Sequence, residues 1–148
     1  MPADVLTARD LNRATLARQL LLRRHEMAPL AAVEHLVGLQ AQVPLNPYTA
    51  LWSRLADFDP DELGGLMEQR RVGRIVCMRT TIHLVTAADA VALRPLTQEA
   101  FDREVRTHGE MRDLLHEIDR DAVVAYAEPL LAEAPRTQPQ LKALLAER

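Results

Sequence analysis

Leu11, Ala14, Ala17 and Leu21 recur at helical spacing, with Leu16 and Leu20 beside them, and Thr7-Ala8-Arg9-Asp10 ahead of them has the form of a capping box. The run predicts a first helix that ends at Arg23-Arg24-His25, where cations suit the negative end of the helix dipole. Pro29 opens a second helix from its first position, with Val33, Leu36 and Val37 as its buried stripe. Gln40 lies four residues beyond Leu36 and continues that stripe inward. Asn46-Pro47 opens a third helix carrying Leu51, Trp52 and Leu55 as core positions. Pro60, followed by Asp61 and Glu62, opens a fourth that ends near Arg70 and Arg71.

The period then changes. Arg74 to Met78 and Ile82 to Val85 are short β-prone runs separated by Arg79-Thr80-Thr81, which predicts a hairpin. Thr86 with Asp89 three residues on caps another helix, running toward Arg106 with a kink or break at Pro95. A similar helical pattern begins again at Asp119 with Val123, Val124 and Leu130, and contains Pro129. Pro135-Arg136 breaks it, and the capping box Thr137-Gln138-Pro139-Gln140 starts a last helix with Leu141, Leu144 and Leu145. Helices followed by a hairpin outline a winged helix, and helix, turn, helix begins a second one. The expected fold is mainly α with small β-hairpin wings, a tandem winged helix. Its first unit with the following helix would span 1–106, and its second unit 107–148. The sequence stops at Arg148, where a second wing would start, so a truncated chain is expected.

Composition supports helices. The apolar share is 48% but aromatics are only 3%, a poor match to β-sandwiches. The single cysteine, Cys77, excludes an intrachain disulfide and sits in an apolar run that suggests burial. No signal peptide or membrane span is visible, which leads to an expectation of a soluble, cytoplasmic protein. The net charge of −3 argues against nonspecific nucleic-acid binding, yet no acid occurs from Gln69 through Ala88, where Arg70, Arg71, Arg74 and Arg79 fall. A local basic field matters more than the sum when a surface meets phosphates. His25, His35, His108 and His116 share no metal-ligand spacing, so no metal is expected. Gly64-Gly65 lacks a following Lys-Ser/Thr, so ATP hydrolysis is not supported and no cofactor is expected.

The chemically informative stretch is Leu36-Val37-Gly38-Leu39-Gln40-Ala41-Gln42-Val43-Pro44. A glycine inside a helix costs about 1 kcal/mol against alanine, so Gly38 suggests a close backbone approach. An inward amide at Gln40 needs partners or a wet cleft, and Gln42 falls at the frayed helix end. Two readings stay open on spacing alone. The amides cap carbonyls and bind solvent, or they share a cleft and do chemistry.

Leu39-Gln40-Ala41-Gln42, together with Met78-Arg79-Thr80-Thr81-Ile82-His83-Leu84, resembles the AlkZ/YcaQ family of winged-helix DNA glycosylases, covering the N-terminal portion of a family member. The resemblance implies hydrolysis of the N-glycosidic bond of alkylated, including crosslinked, purines, with double-stranded DNA as partner. The family's catalytic motif is glutamine, an aliphatic residue, then glutamine or aspartate, and it maps onto Gln40, Ala41 and Gln42. Arg79-Thr80-Thr81 departs from the commoner arginine-glycine-threonine, which stiffens the turn. Arg70, Arg71, Arg74, Arg79 and His83 are the candidate DNA contacts. A non-catalytic winged-helix DNA-binding protein and a helical interaction module are the competing functions. The 148-residue chain is expected to be inactive or weakly active.

Overall fold

Thr7 starts the first helix as its side chain predicts: its hydroxyl accepts the Asp10 amide at 3.2 Å while the Asp10 carboxylate accepts the Thr7 amide at 3.0 Å. A computed structural model of the chain describes residues 5–109 and 118–146. Its elements are α1 (Ala8–Arg18), α2 (Pro29–His35), β1 (Leu39–Gln40), α3 (Asn46–Trp52), α4 (Pro60–Glu68), β2 (Val72–Val76), β3 (Ile82–Thr86), α5 (Ala87–Thr107), α6 (Arg120–Glu133) and α7 (Gln138–Ala146). The chain divides into two units, Met1–Phe101 and Asp102–Arg148.

Helices α1 and α2 stop sooner than their apolar spacing suggests, α4 stops where its sequence predicts, and the three share a stop device. After α1, Leu20 takes a left-handed conformation (φ 57°), and the amides of Leu20 and Leu21 reach back to the carbonyls of Ala17 and Leu16. After α4, Arg70 (φ 57°) does the same, with the amides of Arg70 and Arg71 on the carbonyls of Met67 and Leu66. After α2, Val37 (φ 60°) donates to Glu34. This closing turn usually holds glycine; a side chain there costs about 1–2 kcal/mol. Leu20 meets that cost by burying itself in the core.

The stop at Val37 corrects the reading of Gln40. Helix α2 ends at His35, Gly38 reverses the chain at φ 131°, and Leu39–Gln40 becomes a strand. The period switches from 3.6 to 2, so Leu39 and Ala41 are buried and Gln40 and Gln42 are exposed. Gly38 is not inside a helix. A Cβ there would lie 2.8 Å from Val85 Cγ1 and 3.1 Å from the Leu84 carbonyl, so a close approach does require glycine.

The three strands form an antiparallel sheet in the order β1-β3-β2. Helix α2 packs on β3, α3 on β1 and α4 on β2. The core joins Leu20, Ala32, Val33, Leu39, Ala41, Leu51, Leu55, Leu63, Val72 and Leu84. Cys77 is fully buried, as its apolar neighbours suggest. Three expected core groups are not in it. Trp52 is 57% exposed, Val37 is exposed as well, and α1 has no buried residue, Leu11 included. Arg54 ties α1 down instead, donating to the carbonyls of Gln19 and Ala50 at 2.8 Å each. Burial without a carboxylate partner pulls its guanidinium below the ordinary arginine value.

Thr86 caps α5, accepting the Asp89 amide at 3.1 Å and donating to the Asp89 carboxylate at 2.7 Å. Pro95 neither splits nor ends that helix. Pro95 and Val91, whose carbonyl loses its usual donor, both lie on the exposed side. In the second unit, Asp119 caps α6 through the Ala122 amide and Pro129 is likewise absorbed. Arg136 closes the turn 134–137 by donating to the Leu130 carbonyl and pairing with Glu133 at 2.9 Å. The Gln140 side chain accepts the Thr137 amide and hydroxyl ahead of α7. Mainly helical, with a small antiparallel sheet whose hairpin follows the helices, the fold is compatible with a winged helix.

Candidate active site

Strand β1 is only two residues long, and its end creates the local geometry. Ala41 donates to the Ile82 carbonyl at 2.8 Å, the first half of what would be a two-bond antiparallel pair. The second half is not made by backbone. The Ile82 amide donates at 3.1 Å to Oε1 of Gln42, and the Ala41 carbonyl instead accepts Arg74 Nη2 at 2.8 Å and Nε at 3.2 Å. The Gln42 side chain therefore stands in for a ladder carbonyl, and Arg74 holds the carbonyl it replaced. Hydrogen bonds to a charged donor contribute about 1.5–3 kcal/mol, so the peptide between the two glutamines is firmly set.

Gln40 pairs with His83 across the β1-β3 ladder, and His83 pairs with Ile75 across β3-β2. Directly opposed residues in such ladders share a sheet face, so Gln40 and His83 are neighbours on one side. His83 Nδ1 lies 3.1 Å from the Thr81 carbonyl. A carbonyl only accepts, so Nδ1 donates in this bond. Gln40 has no side-chain hydrogen bond among the described residues and keeps its whole amide for solvent or a ligand.

The hairpin turn ends in the same place. Arg79 (φ 55°) and Thr80 (φ 55°) are both left-handed, a conformation β-branched side chains rarely adopt. Thr80 occupies the position where the resembled pattern has glycine. The turn is held by Thr80 and Thr81 amides on the Cys77 and Met78 carbonyls, and by the Thr81 hydroxyl on Met78.

Of the residues singled out in the sequence, Gln40, Gln42, Arg74, Arg79 and His83 gather around the turn end of the hairpin. Arg70 and Arg71 sit at its other end, four strand steps or about 13 Å along β2. There Arg70 closes α4, and the Arg71 carbonyl accepts the Ala87 amide. Arg74 has a role its sequence context does not signal, because nothing local shows that its guanidinium spans to Ala41. The stacking of Arg24 on Trp52, 4.3 Å from guanidinium carbon to ring centroid, is likewise hidden when Trp52 is read as core. Among the described residues no cluster of His, Cys, Asp and Glu is arranged to hold a metal ion, and no helix is long and apolar enough to cross a membrane. His116 lies outside the described residues.

Chemically, the arrangement offers one unengaged carboxamide, a second with a spare lone pair on Oε1, and an imidazole nitrogen. The two carboxamides are suited to orienting a water without titrating. A family model described as DNA glycosylase AlkZ-like matches residues 33–148, a span that includes every one of these groups. No curated protein and no solved structure matches the chain.

Proposed function

The chain belongs to the AlkZ-like DNA glycosylase family, and we propose that Gln40 and Gln42 hold the water that hydrolyses the N-glycosidic bond of an alkylated purine in duplex DNA. A purine alkylated on a ring nitrogen is cationic. When its bond to C1′ breaks, the bonding electrons neutralise that charge and the base leaves without an enzymic acid. Water then forms the new bond to C1′, and its proton passes to solvent. What the protein must supply is position and complementary charge, because the sugar becomes positive as the base departs. In this reading the Gln40 carbonyl accepts one water hydrogen and the second lone pair of Gln42 Oε1 the other. Arg74 acts through the Ala41 peptide as a positioning residue. Arg79 and His83 meet DNA at the turn end of the hairpin, and Arg70 and Arg71 meet phosphates at its base.

The observation that supports this most is the pairing of exposure with rigidity. Both amides face solvent, while Ala41 between them is held through its N–H by the Ile82 carbonyl and through its C=O by Arg74. A second reading, a DNA-binding protein without catalysis, draws on the fact that Gln42 Oε1 already serves the Ile82 amide. An assay separates them. Duplex DNA carrying N-alkylated purines is incubated with the chain, abasic sites are cleaved with alkali, and strand breaks are counted. Breaks from the wild type that vanish in Gln40→Ala, with DNA binding retained, support the enzyme. Binding without breaks from any variant leaves the scaffold reading. Neither amide titrates in the working range, so the glutamines add no carboxylate-like limb to the pH profile; such a limb, lost in Gln40→Ala, would overturn the assignment.

A further inference from the structure

The segment before the matched family span holds an unusual surface. From Val5 through His25 the chain carries Arg9, Arg13, Arg18, Arg23 and Arg24 against one acid, Asp10. Asp10 is closed into the Thr7 capping box, where that hydroxyl and amide hold its carboxyl below the ordinary range. Arg23 and Arg24 are exposed, and among the described residues neither guanidinium has a carboxylate partner. Their backbone is fixed nonetheless. His25 donates to the Arg54 carbonyl at 2.8 Å, and Ala56 donates back to the His25 carbonyl at 3.0 Å. This locks the arginine pair beside the end of α3 and lays Arg24 over the Trp52 ring. Beside it lies a hollow of about 370 Å³ lined by Arg23, Arg24, His25, Glu26 and Met27, with Glu26 its one acid.

An indole left more than half exposed is not explained by folding, since burying it would be favourable. Arginine on its face gives the exposed ring a purpose. Stacking holds the guanidinium plane while leaving its N–H edge free, and that edge matches phosphate oxygens in pairs. Such a platform is pre-organised for a polyanion, and two guanidinium groups against the single carboxylate of Glu26 favour DNA over a protein surface. We propose that Arg23, Arg24 and Trp52 form a second contact for duplex DNA, gripping phosphates of the backbone away from the glutamine site. The proposal rests on the chain acting on DNA but not on its being catalytic.

Trp52 is the only tryptophan, so indole emission, excited beyond the tyrosine band, reports this surface alone. The full chain is titrated with undamaged duplex, reading both the indole emission and, by anisotropy of a labelled duplex, affinity across a salt series. The wild type should show a quench or shift of emission that saturates with binding. The Arg23→Ala, Arg24→Ala double variant should bind about 10-fold more weakly at low salt, with the slope of log K against log salt reduced by up to about 2, near 0.9 for each phosphate no longer neutralised. Arg24→Lys should keep the slope and lose the wild-type emission change, because a lysine keeps charge but not the planar stack. Binding whose salt slope is the same in the double variant, with indole emission unmoved by DNA, overturns the proposal and leaves the glutamine reading standing. Quenching and a reduced slope alongside no base release from alkylated DNA would sink the catalytic reading and leave this surface in place. No binding of the wild-type chain to duplex overturns the proposal as well.

Discussion

The two ends of the β2–β3 hairpin are built from similar residues and differ in what those residues are tied to. At the base, Arg70 and Arg71 follow a helix stop, and what they bond is mostly backbone: the Met67 and Leu66 carbonyls on one side and the Ala87 amide on the other. At the turn end, side chains have taken over the ladder, with Gln42 replacing a carbonyl and Arg74 holding the one displaced. Backbone closure at the base leaves the arginine side chains independent of the sheet. Side-chain closure at the turn end couples two amides, one guanidinium and a strand edge. Substitutions at the turn end should therefore act on each other, while those at the base should act alone.

The largest effect that can break this comparison is kinetic. Gln40→Ala should lower single-turnover base release by about 100-fold or more, the scale seen when one pre-organised group is removed from a reacting centre. Arg71→Ala should stay within about 3-fold when duplex is saturating. Comparable losses from both would mean the two ends are not functionally distinct. Arg74→Met comes next. It should cost about 1.5–3 kcal/mol in urea unfolding by releasing the Ala41 carbonyl, and slow base release with DNA affinity little changed. An Arg74 variant that loses affinity but keeps its rate and stability would make Arg74 a phosphate contact and not a positioning residue.

Smaller effects sharpen the picture. Thr80→Gly and Arg70→Gly each relieve a left-handed side chain and should each stabilise by about 1 kcal/mol in thermal or urea melts. They are at opposite ends of the hairpin and share no partner, so their effects should add. The smallest change is with pH. The Asp10 carboxyl is held below its ordinary range by the Thr7 hydroxyl and amide. Its contribution is fully present above the ordinary carboxylate range and is lost as pH falls through the lowered folded value. Acid titration followed at α1 amides by NMR should show fraying only at that acidic end, and Asp10→Asn should remove the transition.

Much of the fold is readable in the sequence where chemistry is local. Thr7, Thr86 and Asp119 mark helix starts because a side chain and an amide three residues on are enough to define a cap, and Thr137 marks another because the Gln140 side chain reaches back to its amide. Helix ends are harder. Leu20 and Val37 close helices in a conformation that favours glycine, so no residue type announces the stop, and apolar spacing runs on past it, whereas α4 ends near Arg70 as its sequence predicts. The consequence reaches the site. Extending α2 through Gly38 turns Gln40 inward, whereas a strand of two residues turns it out and sets it opposite His83. Gly38 does signal a close approach, yet what approaches it, Val85 and the Leu84 carbonyl, lies far along the chain, beyond any spacing rule. The same holds for the span from Arg74 to Ala41.

Leu20 ends α1 and also plugs the core, while the helix before it buries nothing. The Leu20 side chain in the core and the Arg54 guanidinium on the Gln19 carbonyl, both at its last turn, are thus what hold the amino-terminal helix. Such a helix can detach as a separate cooperative unit, opening and closing while the sheet beneath stays shut. Its amides should exchange with deuterated solvent well ahead of those in β3, and Leu20→Ala should speed that exchange far more than it lowers the protection of the sheet.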